Sequence, residues 1–146
     1  MRWIAHKFGG SSVANAARYQ AVARLMVGRQ EEAQVVVVSA MQGVTDALIG
    51  LTAKAAAKTG DWSIDLSALK QRHLDTAAEL LGEQAGDFGK SLDVSFSDLS
   101  HLLRSVELLG TVPAEIVELV SGLGEVWSAQ MLAAHFRALG HGAEFL

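Results

Sequence analysis

The sequence predicts an α/β domain in which parallel strands are covered by helices, and three observations carry that prediction. First, the apolar run Trp3-Ile4-Ala5-His6-Lys7-Phe8 breaks at once into Gly9-Gly10-Ser11-Ser12, behind which a helical pattern opens. Second, Val35, Val36, Val37 and Val38 stand together between Gln34 and Ser39. An unbroken β-branched run reads as a strand buried on both faces, as in parallel sheets sandwiched by helices. Third, Ala17, Ala21, Val22, Leu25 and Met26 recur at helical spacing between the two runs. A strand, a helix and a strand within about forty residues form a βαβ unit, whose crossover is right-handed.

Size and composition agree. The chain has 146 residues, half of them hydrophobic and 19% charged. That is enough for one domain with a core, and it excludes a disordered chain. A formal net charge of −4 gives no electrostatic support to nucleic-acid binding. Cysteine is absent, so disulfides and thiolate metal sites are excluded and a reducing cytoplasm is the expected location. No apolar run reaches the roughly eighteen residues of a membrane span. The start Met1-Arg2-Trp3 lacks the apolar core of a signal peptide.

Taken in order, the first helix has Asn15 as its N-cap candidate and Gly28 at its end. After the valine strand comes Ser39-Ala40-Met41-Gln42-Gly43-Val44-Thr45-Asp46, a second polar loop, with Thr45 or Asp46 as cap of a helix reaching Lys58. Gly60-Asp61-Trp62-Ser63 breaks that pattern. A helix from Asp65 carries Leu66, Leu69, Leu74, Ala77, Ala78 and Leu81. Gly82 to Gly89 reads as a connector, and a further helix starts near Ser97. Pro113 suits a first helical position. Residues 62–112 therefore read as a helical insertion between sheet elements. Val120 to Ala129, containing Gly122 and Gly124, reads as a third small-residue loop entering a helix that ends at Gly140-His141-Gly142. Ala143-Glu144-Phe145-Leu146 looks like the opening of a strand, so residues 1–146 read as the N-terminal portion of a larger catalytic domain.

The chemistry sits in the loops. Glycines let the backbone approach a ligand, and free N–H groups at a helix start attract anions. Lys7 adds a full charge beside Gly9, Gly10 and Ser11, so a phosphate is the ligand this loop fits best. The same pattern also serves as a plain Gly-rich turn. It is neither a Walker loop, because the lysine precedes the glycines, nor GxGxxG. Ser39 and Thr45 lie at the same sheet edge, where open α/β sheets bind ligands; they equally suit strand-end and cap positions. Glu125, alone, suits a helix-dipole partner at an N-terminus. His6, His73, His101, His135 and His141 share no metal-ligand spacing, so no metal site is expected and structural roles are.

Three segments together resemble the amino-acid kinase superfamily, and within it the aspartokinases. Lys7-Phe8-Gly9-Gly10-Ser11-Ser12-Val13-Ala14 is similar to the family's KFGGTSVA, with serine in place of threonine at Ser11. Val36 to Asp46 resembles VVVSAMSGVTN, and Ser121 to Ala129 resembles SxGExxSA. The resemblance implies a three-layer αβα sandwich with a mainly parallel sheet, truncated here and carrying a helical insertion. It implies transfer of a phosphoryl group from ATP, with Mg²⁺, to the β-carboxylate of L-aspartate. Lys7 would be catalytic and, with Gly9, Gly10 and Ser11, would bind the ATP phosphates; Ser39, Thr45 and Glu125 would hold the amino acid. The family's later nucleotide-binding half and its regulatory domains have no counterpart, so the fragment alone is expected to be inactive and to self-associate as a homo-oligomer. The alternatives are another amino-acid or carbamate kinase of the superfamily, or a non-catalytic assembly fragment.

Overall fold

A computed structural model of the chain describes residues 3–29 and 33–146. The start at Met1-Arg2 lies outside the described residues. Strand β1 (Trp3–Phe8) leads through a 3-10 turn (Gly10–Val13) into helix α1 (Ala16–Val27). Asn15 caps α1 as expected, its side chain accepting from the Arg18 N–H at 3.0 Å, and Gly28 closes it. Strand β2 (Ala33–Val38) follows and pairs with β1 in parallel, with Lys7 in register with Val37 and Phe8 with Val38. The Ser39 N–H extends the ladder by donating to the Phe8 carbonyl at 3.0 Å. The βαβ unit is thus present as read from the sequence.

Its burial differs from the expectation. Side chains on a strand alternate between faces. Phe8, Val36 and Val38 pack against the core, whereas Val35 and Val37 are 37% and 48% exposed. Trp3, Ala5 and Lys7 are exposed beside them. The valine run is therefore covered on one face only, because the described helices do not cover the other.

The helical part is longer and more continuous than the spacing suggested. Helix α2 (Val44–Ala57) is followed by α3 (Trp62–Leu81), a 3-10 turn (Gly82–Gln84), α4 (Ala85–Leu109) and α5 (Ala114–Ala138). The helix expected from Asp65 begins at Trp62, because Asp61 caps it through the Ser63 N–H at 2.8 Å. The expected connector up to Gly89 is mostly the start of α4. Phe88 and Leu92 enter the core there, and their burial outweighs the low helix propensity of Gly86 and Gly89. Pro113 is the N-cap rather than the first helical residue of α5. Thr45 and Asp46 do not cap α2; Gly43 does, at φ +80°, a conformation that suits glycine. Ala143–Leu146 has no strand assignment and follows Gly140 as irregular chain.

Helix α2 lies between α3, α4 and α5. Val44, Leu48, Leu51 and Ala55 form its buried stripe and meet Leu99, Leu103 and Val106 of α4 in one continuous core. Each fully buried leucine contributes on the order of 1.5–3 kcal/mol. Within the core, Trp127 stacks on Phe96 with centroids 4.5 Å apart and meets His73 edge-on at 5.1 Å. The Trp127 indole N–H donates to Ser95 Oγ at 2.8 Å, so the buried ring keeps its hydrogen bond.

His73 is fully buried. Its Nδ1 donates to the Leu69 carbonyl at 2.8 Å, and its Nε2 has no partner. Burial pushes its pKa below the usual histidine value, against the Leu69 bond, and the nearby Arg72 charge pushes the same way. His135 is lowered too, by burial, against a hydrogen bond to the Leu80 carbonyl. Both imidazoles bind protons more readily in the unfolded chain. Their contribution to stability is therefore complete above the unfolded value of about 6.5 and is lost as pH falls below it. Melting temperature should fall as pH drops from 7.5 to 5.5, and His73→Phe should flatten that fall. A curve unchanged by the substitution would contradict the assignment to His73.

Candidate functional site

Both expected loops leave the sheet at the carboxyl ends of β1 and β2, and they touch. The tightest point is Gly10: a Cβ there would stand 3.0 Å from the Ala40 carbonyl oxygen and 3.6 Å from the Gln42 backbone. Only a residue without a side chain allows this approach unperturbed. Ser39 continues β2 beside Phe8, and Thr45 stands in the first turn of α2, one residue after buried Val44. Gly9, Gly10, Ser11, Ser39 and Thr45 are thus gathered at one rim. The 3-10 turn uses the Ser12 N–H, which donates to the Gly9 carbonyl at 2.9 Å. The N–H groups of Gly10 and Ser11 head that turn, where no intrahelical acceptor is available.

The third segment is not a loop. Val120 to Ala129 lies inside α5, and Glu125 sits in mid-helix, exposed. The helix-dipole reading of Glu125 therefore falls, since the dipole acts within the terminal turns. The glycines misled the sequence reading because one of them answers to packing. A Cβ on Gly124 would meet the Ala40 Cβ and Val44 Cγ1, each at 2.8 Å. Gly124 lets α5 lie directly on the second loop and the start of α2. Gly124→Val should overpack this contact and cost about 1–3 kcal/mol. Thermal melting measures it; an unchanged melting temperature would contradict the close approach.

Lys7 and Glu125 approach the carboxyl end of β2 differently. Lys7 projects from β1 on the open face, in register with Val37. Glu125 lines a groove of about 660 Å³ shared with Val35 to Val38, Leu132 and Phe136. Lys7 does not line that groove. The structure brings both residues to the neighbourhood of Val37 and Val38, and it does not put them in one pocket.

Two contacts that sequence reasoning missed fix this rim. Tyr19 of α1 shares a buried hydrogen bond of 2.7 Å with Ser128 of α5. Burial pushes the Tyr19 phenol up to about 12, against the Ser128 bond and the Arg72 charge, so it keeps its proton at neutral pH. The pair locks the helix after the first loop to the helix bearing Glu125. The second is Arg72 of α3, whose Nη2 donates to the Gln42 carbonyl at 2.9 Å and to the Ala14 carbonyl at 3.5 Å. A tyrosine on an apolar helical stripe and an arginine beside a histidine give no pattern that marks either. Among the described residues no three His, Asp or Glu side chains cluster as metal ligands, and no helix is long and apolar enough to cross a membrane.

The geometry defines a class: an α/β protein whose polar loops converge at the carboxyl ends of adjacent parallel strands, the ligand-binding edge of such sheets. Residues 2–146 match the Amino acid kinase family, and the chain belongs to it. It is 37% identical over 139 residues to the chloroplastic bifunctional aspartokinase/homoserine dehydrogenase 1 of Arabidopsis thaliana, covering 94% of this chain and 15% of that protein. It is 33% identical to chloroplastic aspartokinase 3 of the same plant, over 94% of this chain and 24% of that one. The chain thus spans a quarter or less of the length of these relatives. Its fold matches E. coli aspartokinase III in complex with lysine and aspartate, with a TM-score of 0.79 and 21% identity, over 95% of this chain and 29% of that one. The same enzyme in complex with aspartate and ADP matches with a TM-score of 0.78 and 20% identity, over 96% and 30%.

Proposed function

We propose that this chain is the amino-acid-binding and phosphate-binding part of an aspartate kinase, which makes 4-phospho-L-aspartate from L-aspartate and ATP. The observation that carries the reading is the contact of the two loops at Gly10, at the carboxyl ends of β1 and β2, with Gly124 of α5 packed on the second loop at Ala40. The solved aspartokinase III bound to aspartate and ADP, and the aspartokinase relatives, support the choice of substrate.

The chemistry needs little beyond this. The β-carboxylate of aspartate is already ionised at neutral pH, so no general base is required. One of its oxygens attacks the γ-phosphorus, and the bond to the bridging oxygen breaks with its electron pair leaving on ADP. The obstacle is repulsion between two anions that must be aligned. Lys7 offsets that repulsion at the transferring group, and the N–H groups of Gly10 and Ser11, with the Ser11 hydroxyl, hold phosphate oxygens. Ser39 and Thr45 donate to the aspartate carboxylates. Glu125 accepts from its ammonium group, a charge-assisted contact that separates an amino acid from a plain dicarboxylate. Mg²⁺ enters with the nucleotide substrate in this reading.

Residues 62–112 act in this reading as a helical insertion, and the complete enzyme as a cytoplasmic homo-oligomer at an early step of amino-acid biosynthesis. Substrate profiling of the complete polypeptide that carries this chain tests the proposal. ATP-dependent ADP release should require aspartate and be weak with glutamate or carbamate. Equal rates with carbamate would favour another member of the family.

A further inference from the structure

We propose that Arg72 is a positioning residue that straps the phosphate-binding loop to the amino-acid-binding loop and so sets the distance between the two bound substrates. The inference rests on the kinase reading above. Arg72 comes from α3, outside all three segments that resemble the family. Its Nη2 reaches across to both loops at once, to Gln42 at 2.9 Å and, more loosely, to Ala14 at 3.5 Å. Gln42 lies midway between Ser39 and Thr45, and Ala14 follows the turn that holds Gly10 and Ser11. The loops touch at Gly10, on the Ala40 carbonyl and the Gln42 backbone. The contact at Gly10 is close packing without a hydrogen bond, and Arg72 adds hydrogen bonds that tie Gln42 of one loop to Ala14 after the other.

The chemistry of the tie fits a strap. Carbonyl oxygens only accept, and a planar guanidinium offers several donors held in a rigid fork. A lysine in its place is a point charge on a flexible stem. Arg72 pairs with no carboxylate among the described residues. Its charge therefore stays free to act on its surroundings, and both the Tyr19 phenol and the His73 ring respond to it. The side chain is exposed, so its removal leaves the core of α3 intact.

Each loop can still bind its own ligand without the strap, but the two ligands are no longer held in line. A displacement of about 1 Å at the reacting atoms costs on the order of a hundredfold in rate. In the complete polypeptide, Arg72→Ala should lower kcat by roughly tenfold to a hundredfold while the separate dissociation constants for aspartate and ATP change by less than about threefold. Arg72→Lys should recover part of the rate. Added guanidinium ion, but not urea at the same concentration, should recover part of the rate of the alanine variant. An unchanged kcat would overturn the strap, as would a loss of rate matched by lost binding of either ligand. If the unsubstituted polypeptide fails to phosphorylate aspartate, the kinase reading itself fails, an outcome distinct from an active enzyme indifferent to Arg72.

Discussion

Lys7→Ala should abolish turnover of the complete enzyme, with kcat falling by about a thousandfold or more. That is the scale seen when a charge or donor aimed at a transferring group is removed. The reasoning is electrostatic. Aspartate and ATP arrive as anions, and the transition state adds no new covalent chemistry for the protein to supply. The neutralising charge is therefore the largest single contribution this chain can make. Lys7 is exposed on the open face of β1, so its removal hollows no core and the melting temperature should not move. Aspartate binding, measured alone, should survive, because its assigned contacts are Ser39, Thr45 and Glu125. Steady-state kinetics and calorimetry separate these quantities. Full activity in the alanine variant would contradict the assigned role.

Glu125→Gln should raise the KM for aspartate by roughly tenfold to a hundredfold, since a hydrogen bond between charged groups contributes about 1.5–3 kcal/mol. At saturating aspartate kcat should stay within about threefold, because the ammonium group lies away from the reacting carboxylate and its contact is the same before and during reaction. The same substitution should narrow the preference for aspartate over succinate, which lacks the ammonium group. The substitution keeps the shape of the side chain, and Glu125 is exposed in mid-helix, so folding is not at stake. An unchanged KM would remove Glu125 from the site and leave Gly124 as a packing residue alone.

The parts legible in the sequence were those in which local chemistry decides. Lys7 followed by Gly9 and Gly10, the valine run and the Asn15 cap each declare a strand end, a strand and a helix start by themselves. The misreadings arose where tertiary contact overrides propensity. Gly86 and Gly89 suggest a connector, yet Phe88 and Leu92 are buried and carry the helix through them. Gly122 and Gly124 suggest a loop, yet the close approach of Ala40 and Val44 is what requires glycine at 124. Valines at 35 and 37 suggest burial on both sides, and only contact information reveals the open face. Arg72 and the Tyr19–Ser128 pair were illegible for a related reason: each joins positions 30 or more residues apart, at 109 for the tyrosine bond, and no local pattern records such a distance.

A crystal structure of the complete polypeptide with L-aspartate and a non-hydrolysable ATP analogue tests the central claim most directly. Aspartate should lie across the carboxyl end of β2, its ammonium group on Glu125 and its β-carboxylate turned toward the γ-phosphate beside Lys7 and Gly10. An aspartate ammonium group remote from Glu125, or a γ-phosphate remote from Lys7, would contradict it.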